Sequence, residues 1–164
     1  QRVYEIPLNT LSGLFQHEVI IIKSCFAPAN HITSDEQLNQ YKEWYLGMRQ
    51  VMAKYPDKLF VVMTIPPLNP EETNPEEATR ARAFANWLSS TEFLGGYANI
   101  TTFDFYDYLA VGDSSHPEAN MLREEYRNGA DSHPNRLANQ ILGPIFVDFV
   151  IQAIEAYRLS YQSP

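Results

Sequence analysis

The sequence predicts an α/β fold in which a doubly wound, parallel sheet carries helices on both faces. Strand and helix patterns alternate along the 164 residues in the order strand, helix, strand, helix, strand, helix, which is typical of crossover-connected parallel strands. Two strand candidates, 19–22 and 59–63, are apolar at every position, as strands covered on both faces are. The length and a hydrophobic content of 45% indicate a single domain with a sizeable core.

The first strand candidate, Val19–Ile22, leads into a helix whose two ends are both marked. Ser34 and Gln37 have the spacing of a capping box, and Pro56 ends the helical pattern. Apolar residues recur at every third or fourth position between them, which predicts one buried stripe. The stripe consists of Leu38, Tyr41, Tyr45, Met48, Met52 and Tyr55.

The second strand candidate, Leu59–Met63, is followed by a proline-rich loop over 65–75. Asn74 then has the position of an N-cap residue, and Pro75 occupies the first turn of the helix it begins. A third strand candidate, Asn99–Phe105, follows this second helix.

The last third of the chain predicts a long loop and a final helix. The stretch from Tyr106 to Ser132 is polar and irregular, and a loop of this length usually has a function. A helix then begins near Pro134 and continues to about Tyr157. We expect Gly143-Pro144 to kink or interrupt it.

The composition excludes several classes of partner. A formal net charge of −8 argues against binding to nucleic acid or to an anionic membrane surface, since both need clustered lysine and arginine. Cys25 is the single cysteine, so an internal disulfide and cysteine-based metal sites are excluded. The four histidines lack the spacing of zinc ligands. We therefore predict no cofactor and no metal, and no apolar run suggests a membrane span.

The first strand raises a difficulty for a three-stranded sheet. Its residues are typical of a central strand, whereas an exposed edge of β-branched residues would be an aggregation hazard. We expect the strand over 19–24 to pair with something that this chain lacks: a second chain, another copy of this chain, or an upstream segment that covers its edge.

Three residues at the carboxyl ends of the strands are the candidates for chemistry, because ligands gather at that edge of an α/β sheet. His133 stands just before the last helix and is preceded by Asp131, which suits a general base oriented by a carboxylate. Asn30 follows the first strand, where its amide can donate to an oxyanion.

At these residues the chain resembles the SGNH (GDSL-type) hydrolase superfamily over roughly residues 17–158. Asn30 corresponds to the family's Asn block, and Asp131-Ser132-His133-Pro134-Asn135 corresponds in part to its His block. The resemblance implies a flavodoxin-like, three-layer α/β/α domain that hydrolyses ester or acyl bonds. The implied substrate is a small molecule, such as an acylated carbohydrate or a lipid-like ester, with His133 as base and Asn30 as oxyanion donor.

The chain departs from the family pattern in two respects. Asp131 precedes His133 by two residues, where the family's aspartate stands three before, at Ala130; Asp104 and Asp107 are alternative acids. The family's serine and glycine blocks lie upstream of anything matched here, since neither Ser12 nor Ser24 has a Gly-Asp-Ser context.

These departures lead to an expectation about the whole chain. We expect residues 1–164 to be a single domain without its first strands, and not a competent serine hydrolase by themselves. In that case a serine from an upstream segment supplies the nucleophile. The alternative is a non-catalytic, SGNH-like binding or structural module.

Overall fold

The structure is a computed structural model that describes residues 5–7, 9–24 and 31–162, without the side chains of residues 11, 161 and 162. Within these residues three strands form one sheet: β1 (Val19–Lys23), β2 (Leu59–Met63) and β3 (Ile100–Phe103). The described part of the chain also contains six helices: α1 (Thr10–Leu14), α2 (Asp35–Met52), α3 (Pro75–Leu88), α4 (Thr91–Leu94), α5 (Phe105–Leu109) and α6 (Arg136–Gln162). Short 3₁₀ turns lie at Pro70–Glu72 and Glu124–Tyr126.

The sheet has the order β1-β2-β3, and both pairs of neighbours are parallel. Val19 lies opposite Leu59, and Phe60 lies opposite Ile100. The predicted α/β class with a parallel sheet is therefore confirmed. Because the three strands run in one direction, their carboxyl ends meet at one edge of the sheet.

Helices cover the sheet from both sides. On one face Ile20, Phe60 and Ile100 pack in a core with residues of α2 and α3, among them Tyr45 and Phe84. On the other face the buried residues Leu59, Val61 and Phe103 pack against α6. This arrangement is a three-layer α/β/α sandwich, and it explains why β2, the central strand, is apolar at every position.

The predicted helix starts are present. The backbone N–H of Gln37 donates to Ser34 Oγ at 3.1 Å, and the Gln37 side chain accepts from the N–H of Thr33 at 2.8 Å. Asn74 Oδ1 accepts from two N–H groups in the first turn of α3. The side chains thus satisfy amides that a helix terminus leaves without backbone partners.

The polar stretch after β3 is more ordered than its sequence suggests. The short helix α5 begins inside it, with Asp104 as its N-cap residue. The N–H of Asp107 donates to Asp104 Oδ1 at 3.2 Å. Residues 110–135 then return to the carboxyl edge of the sheet through turns and bridges.

Of the kink or interruption expected at Gly143-Pro144, the interruption is wrong and the kink stays a prediction. Helix α6 runs without a break for 27 residues, with Pro144 inside it. Leu142 and Ile145 pack in one apolar cluster, so the helix is held on both sides of the proline. This packing offsets the hydrogen bond that a proline removes.

Helix α6 is apolar on its outer face as well. Leu137, Ile141, Val147 and Ile151 are exposed, and the segment Arg136–Ser160 is long and apolar enough to cross a membrane by length and composition. Its inner face, however, packs against the sheet. The absence of a membrane span stays a prediction.

Candidate functional site

Two loops meet at the carboxyl edge of the sheet. One follows β2 over residues 64–74, and the other is the returning segment 110–135. The N–H of Leu122 donates to the carbonyl of Leu68 at 2.9 Å and joins the two loops. The hydroxyl of Thr64, directly after β2, donates to Asp104 Oδ1 at 3.1 Å and joins the ends of β2 and β3.

A polar cluster ties the two loops together and consists of the buried residues Asn69 and Ser132 and the exposed residue Glu72. Asn69 and Ser132 are 2% and 3% exposed. The N–H of Asn69 donates to Ser132 Oγ at 2.9 Å, and its Nδ2 donates to the carbonyl of Gly129 at 2.8 Å. The Ser132 hydroxyl donates to the carboxylate of Glu72. We call these three residues the loop clamp.

Asp131 and His133 form a hydrogen-bonded pair on either side of Ser132. His133 Nδ1 lies 2.7 Å from Asp131 Oδ1, and the backbone N–H of His133 donates to the same oxygen at 3.0 Å. The side chain of His133 is 67% exposed, and that of Asp131 is 51% exposed. The two hydrogen bonds, the backbone one first, hold the pKa of Asp131 below its usual value.

This geometry determines what the pair can do chemically. An ionised carboxylate fixes the imidazole in the tautomer that carries its proton on Nδ1. Nε2 is then the nitrogen that can accept a proton, as in a histidine–aspartate base. The loop clamp holds the backbone between the two residues, because Ser132 is the residue that separates Asp131 from His133.

The other predicted site residues have different surroundings. Asn30 lies outside the described residues. Asp104 accepts hydrogen bonds from Thr64 and from the start of α5, and burial raises its pKa, with these bonds opposing the shift. Asp107 pairs with Arg82 at 2.9 Å. Of the three candidate acids, Asp131 is the one for which the structure gives a hydrogen bond to His133.

The serines that the sequence singled out are engaged in local contacts. The hydroxyl of Ser24, at the end of β1, bonds to the hydroxyl of Tyr45 on α2. Ser12 Oγ donates to the carbonyl of Asn9 at 2.9 Å. These contacts give neither hydroxyl the histidine partner that an activated serine nucleophile has.

Sequence reasoning missed the loop clamp and a second histidine–carboxylate pair. Asn69 and Glu72 lie in the proline-rich loop, which carries no helix or strand periodicity to place them near Ser132. His31 Nδ1 lies 3.4 Å from Glu77 in the first turn of α3. Both contacts join residues more than 40 positions apart in the sequence, and hydrophobic periodicity and capping motifs do not predict contacts at that distance.

Among the residues that the structure describes, no group of three or more His, Cys, Asp or Glu side chains is arranged to hold a metal ion. Comparisons with protein-family models, with curated proteins and with solved structures give no match for this chain. The resemblance to SGNH hydrolases therefore depends on the quoted motifs alone.

Proposed function

We propose that this chain carries the general-base part of an SGNH-like ester or acyl hydrolase. The contact between His133 Nδ1 and Asp131 at the carboxyl edge of a parallel sheet supports this proposal most strongly. The edge is where α/β folds collect substrates, and a carboxylate-oriented imidazole is the base that acyl transfer needs. The proposed substrates are small acylated carbohydrates or lipid-like esters.

In the proposed reaction, His133 moves the protons. Nε2 takes the proton of a serine hydroxyl as its oxygen bonds to the ester carbonyl carbon, and the carbonyl oxygen becomes an oxyanion. When the C–O bond to the alcohol breaks, His133 returns the proton to the leaving alkoxide and an acyl-serine remains. Water then attacks the acyl carbon, again with His133 as base, and releases the acid and the serine. Asn30 is the proposed oxyanion donor.

A serine from another polypeptide segment is the proposed nucleophile. Ser132, the serine nearest to the pair in sequence, is buried and donates its hydroxyl to Glu72. Ser24 and Ser12 are bonded as described above. The proposal therefore divides the reaction between this chain, which supplies the base, and a segment that supplies the hydroxyl.

The alternative proposal is a binding or structural module that shares the fold without the chemistry. The exposure of His133, at 67%, favours it, because general bases usually work in sites that exclude water. The two proposals differ in one measurable property, which is whether ester hydrolysis depends on His133.

We would test hydrolysis of a short-chain p-nitrophenyl ester by the whole 164-residue chain, with His133→Gln and His116→Gln as matched variants. His116 is a suitable control because its Nδ1 accepts the N–H of Glu118 in a surface turn. Because the proposed serine lies in another segment, the chain alone would use His133 to activate water. We expect this slow hydrolysis to fall at least about tenfold in His133→Gln, below the 10²–10⁴-fold of a fully positioned base. His116→Gln should match the unaltered chain.

Two outcomes would contradict these expectations separately. Equal rates for both variants would overturn the role of His133 and favour the non-catalytic module. Labelling of a serine in this chain by a fluorophosphonate probe, lost in His133→Gln, would keep the role of His133. That result would show that the chain supplies its own nucleophile.

A further inference from the structure

The outer face of α6 carries an exposed apolar stripe along the first half of the helix. Leu137 and Ile141 are each 43% exposed, Val147 is 55% exposed and Ile151 is 50% exposed. Because successive residues of a helix are about 100° apart, these four side chains lie within about 60° of the direction of Pro144, which is also exposed. The opposite face of α6 packs against the sheet. The stripe is therefore not needed to hold α6 in place.

The apolar residues of this stripe are spaced symmetrically about Pro144. Ile141 and Val147 lie three residues before and after it, and Leu137 and Ile151 lie seven residues before and after it. A two-fold axis beside Pro144 would set a second copy of the helix antiparallel to the first. Each residue would then share a layer with its counterpart in the other copy, so that apolar side chains meet apolar side chains.

A polar pair in the stripe follows the same symmetry. Gln140 and Asp148, both exposed, lie four residues before and after Pro144. In the antiparallel arrangement Gln140 of one copy shares a layer with Asp148 of the other, and its amide N–H can donate to that carboxylate. A parallel arrangement would place each Asp148 beside the same residue of the other copy, where like charges repel. The pattern is therefore complementary to itself in the antiparallel sense.

We propose that α6 docks on α6 of a second copy of this chain, antiparallel, with the two-fold axis beside Pro144. The layers from Leu137 to Ile151 span about 21 Å of helix. The two symmetric layers of Gln140 and Asp148 fix the register, as single polar residues do between paired helices. One helix face per copy is at the small end of specific interfaces, so we expect micromolar association.

A lipid surface is the other apolar environment that this face could meet. The segment Arg136–Ser160 is long and apolar enough to cross a membrane by length and composition. Asp148, however, lies inside the stripe, and a carboxylate is costly to place in hydrocarbon. Gln140 of a second copy gives that carboxylate a hydrogen-bond donor, which a lipid chain does not. The polar pair thus favours a second copy over lipid.

Sedimentation of the whole 164-residue chain, over about 1 µM to 1 mM protein, tests the proposal. Val147→Lys is the test variant, and Ala156→Lys is its matched control. Ala156 is exposed on the same helix and lies about 120° around it from Pro144. We expect Val147→Lys to weaken dimerisation at least about tenfold, because each substitution occurs twice in the interface. Ala156→Lys should leave the dissociation constant within about twofold.

The register is tested by the polar pair. Gln140→Asp sets a carboxylate in the layer of Asp148 of the other copy, so we expect it to weaken dimerisation at least about threefold. Adding Asp148→Asn to the same chain removes the repulsion and should restore the dissociation constant. Loss of affinity in Gln140→Asp without recovery in the double variant would contradict this register.

Disulfide cross-linking tests the antiparallel direction and does not depend on the lysine variants folding. In chains that carry Cys25→Ser, Pro144→Cys should form a cross-linked dimer on oxidation, because this residue meets its own copy at the axis. Ile151→Cys should cross-link with Leu137→Cys in a mixture of the two chains, but not with itself. Cross-linking of Ile151→Cys with itself would indicate parallel helices and overturn the proposal.

Three further results would overturn it. One is a chain that stays monomeric over the whole concentration range. Another is a dimer that Val147→Lys leaves intact, because the contact would then lie elsewhere, for example at the edge of β1. The third is flotation of the monomer with phosphatidylcholine vesicles that is lost in Val147→Lys, because the stripe would then meet lipid.

Discussion

The loop clamp predicts that removal of the Asn69 side chain will loosen the segment that carries His133. Asn69→Ala removes the Nδ2 donor to Gly129 and the Oδ1 that accepts the N–H of Glu71 at 3.2 Å. Two hydrogen bonds contribute about 1–3 kcal/mol, and the carbonyl of Gly129 adds no burial penalty because Gly129 is exposed. We expect a loss of about 1–3 kcal/mol in the free energy of unfolding, which corresponds to roughly 2–12 °C in Tm for a domain of this size.

Urea unfolding followed by circular dichroism measures this loss, and Asn139→Ala is the matched control. Asn139 is an exposed asparagine on α6 whose Nδ2 donates to the carbonyl of Asn135 at 3.3 Å, so its removal should change stability by less than about 0.5 kcal/mol. Hydrogen exchange at residues 129–133 should also rise in Asn69→Ala. Equal urea midpoints for the two variants would refute the assignment of Asn69 as a clamp.

Two further predictions concern the sheet and its carboxyl edge. Phe103→Ala should lower the free energy of unfolding by about 3–5 kcal/mol, because Phe103 is buried and its ring lies 5.1 Å from that of Phe149 on α6. Val147→Ala, on the exposed face of α6, should lower it by less than about 0.5 kcal/mol. Equal losses in the two variants would contradict the packing of α6 on the sheet. Asp104→Asn keeps the acceptor for Thr64 but removes a charge whose pKa burial raises above 3.8. Ionisation of Asp104 lowers the free energy of unfolding of the unaltered chain as the pH rises through that pKa. In urea unfolding between pH 3.5 and 7, the variant should therefore become more stable relative to the unaltered chain. A stability difference that is constant with pH would count against burial as the cause.

The fold could be predicted from the sequence because its signals are local. Every residue of β2 is apolar, which predicts that both faces of this strand are buried. Ser34 and Asn74 mark the starts of helices, because each accepts hydrogen bonds from N–H groups no more than three residues away. The continuity of α6 through Pro144 could not be predicted in this way. It depends on packing of Leu142 and Ile145 against the returning segment, which a propensity argument does not include.

The candidate site was only partly predictable for the same reason. Asp131 and His133 are two residues apart, so their contact follows from the chain itself. The loop clamp depends on a contact between Asn69 and Ser132, which are 63 residues apart in sequence. Such a contact exists only after the strands have brought their carboxyl ends together, and no periodicity records it in advance.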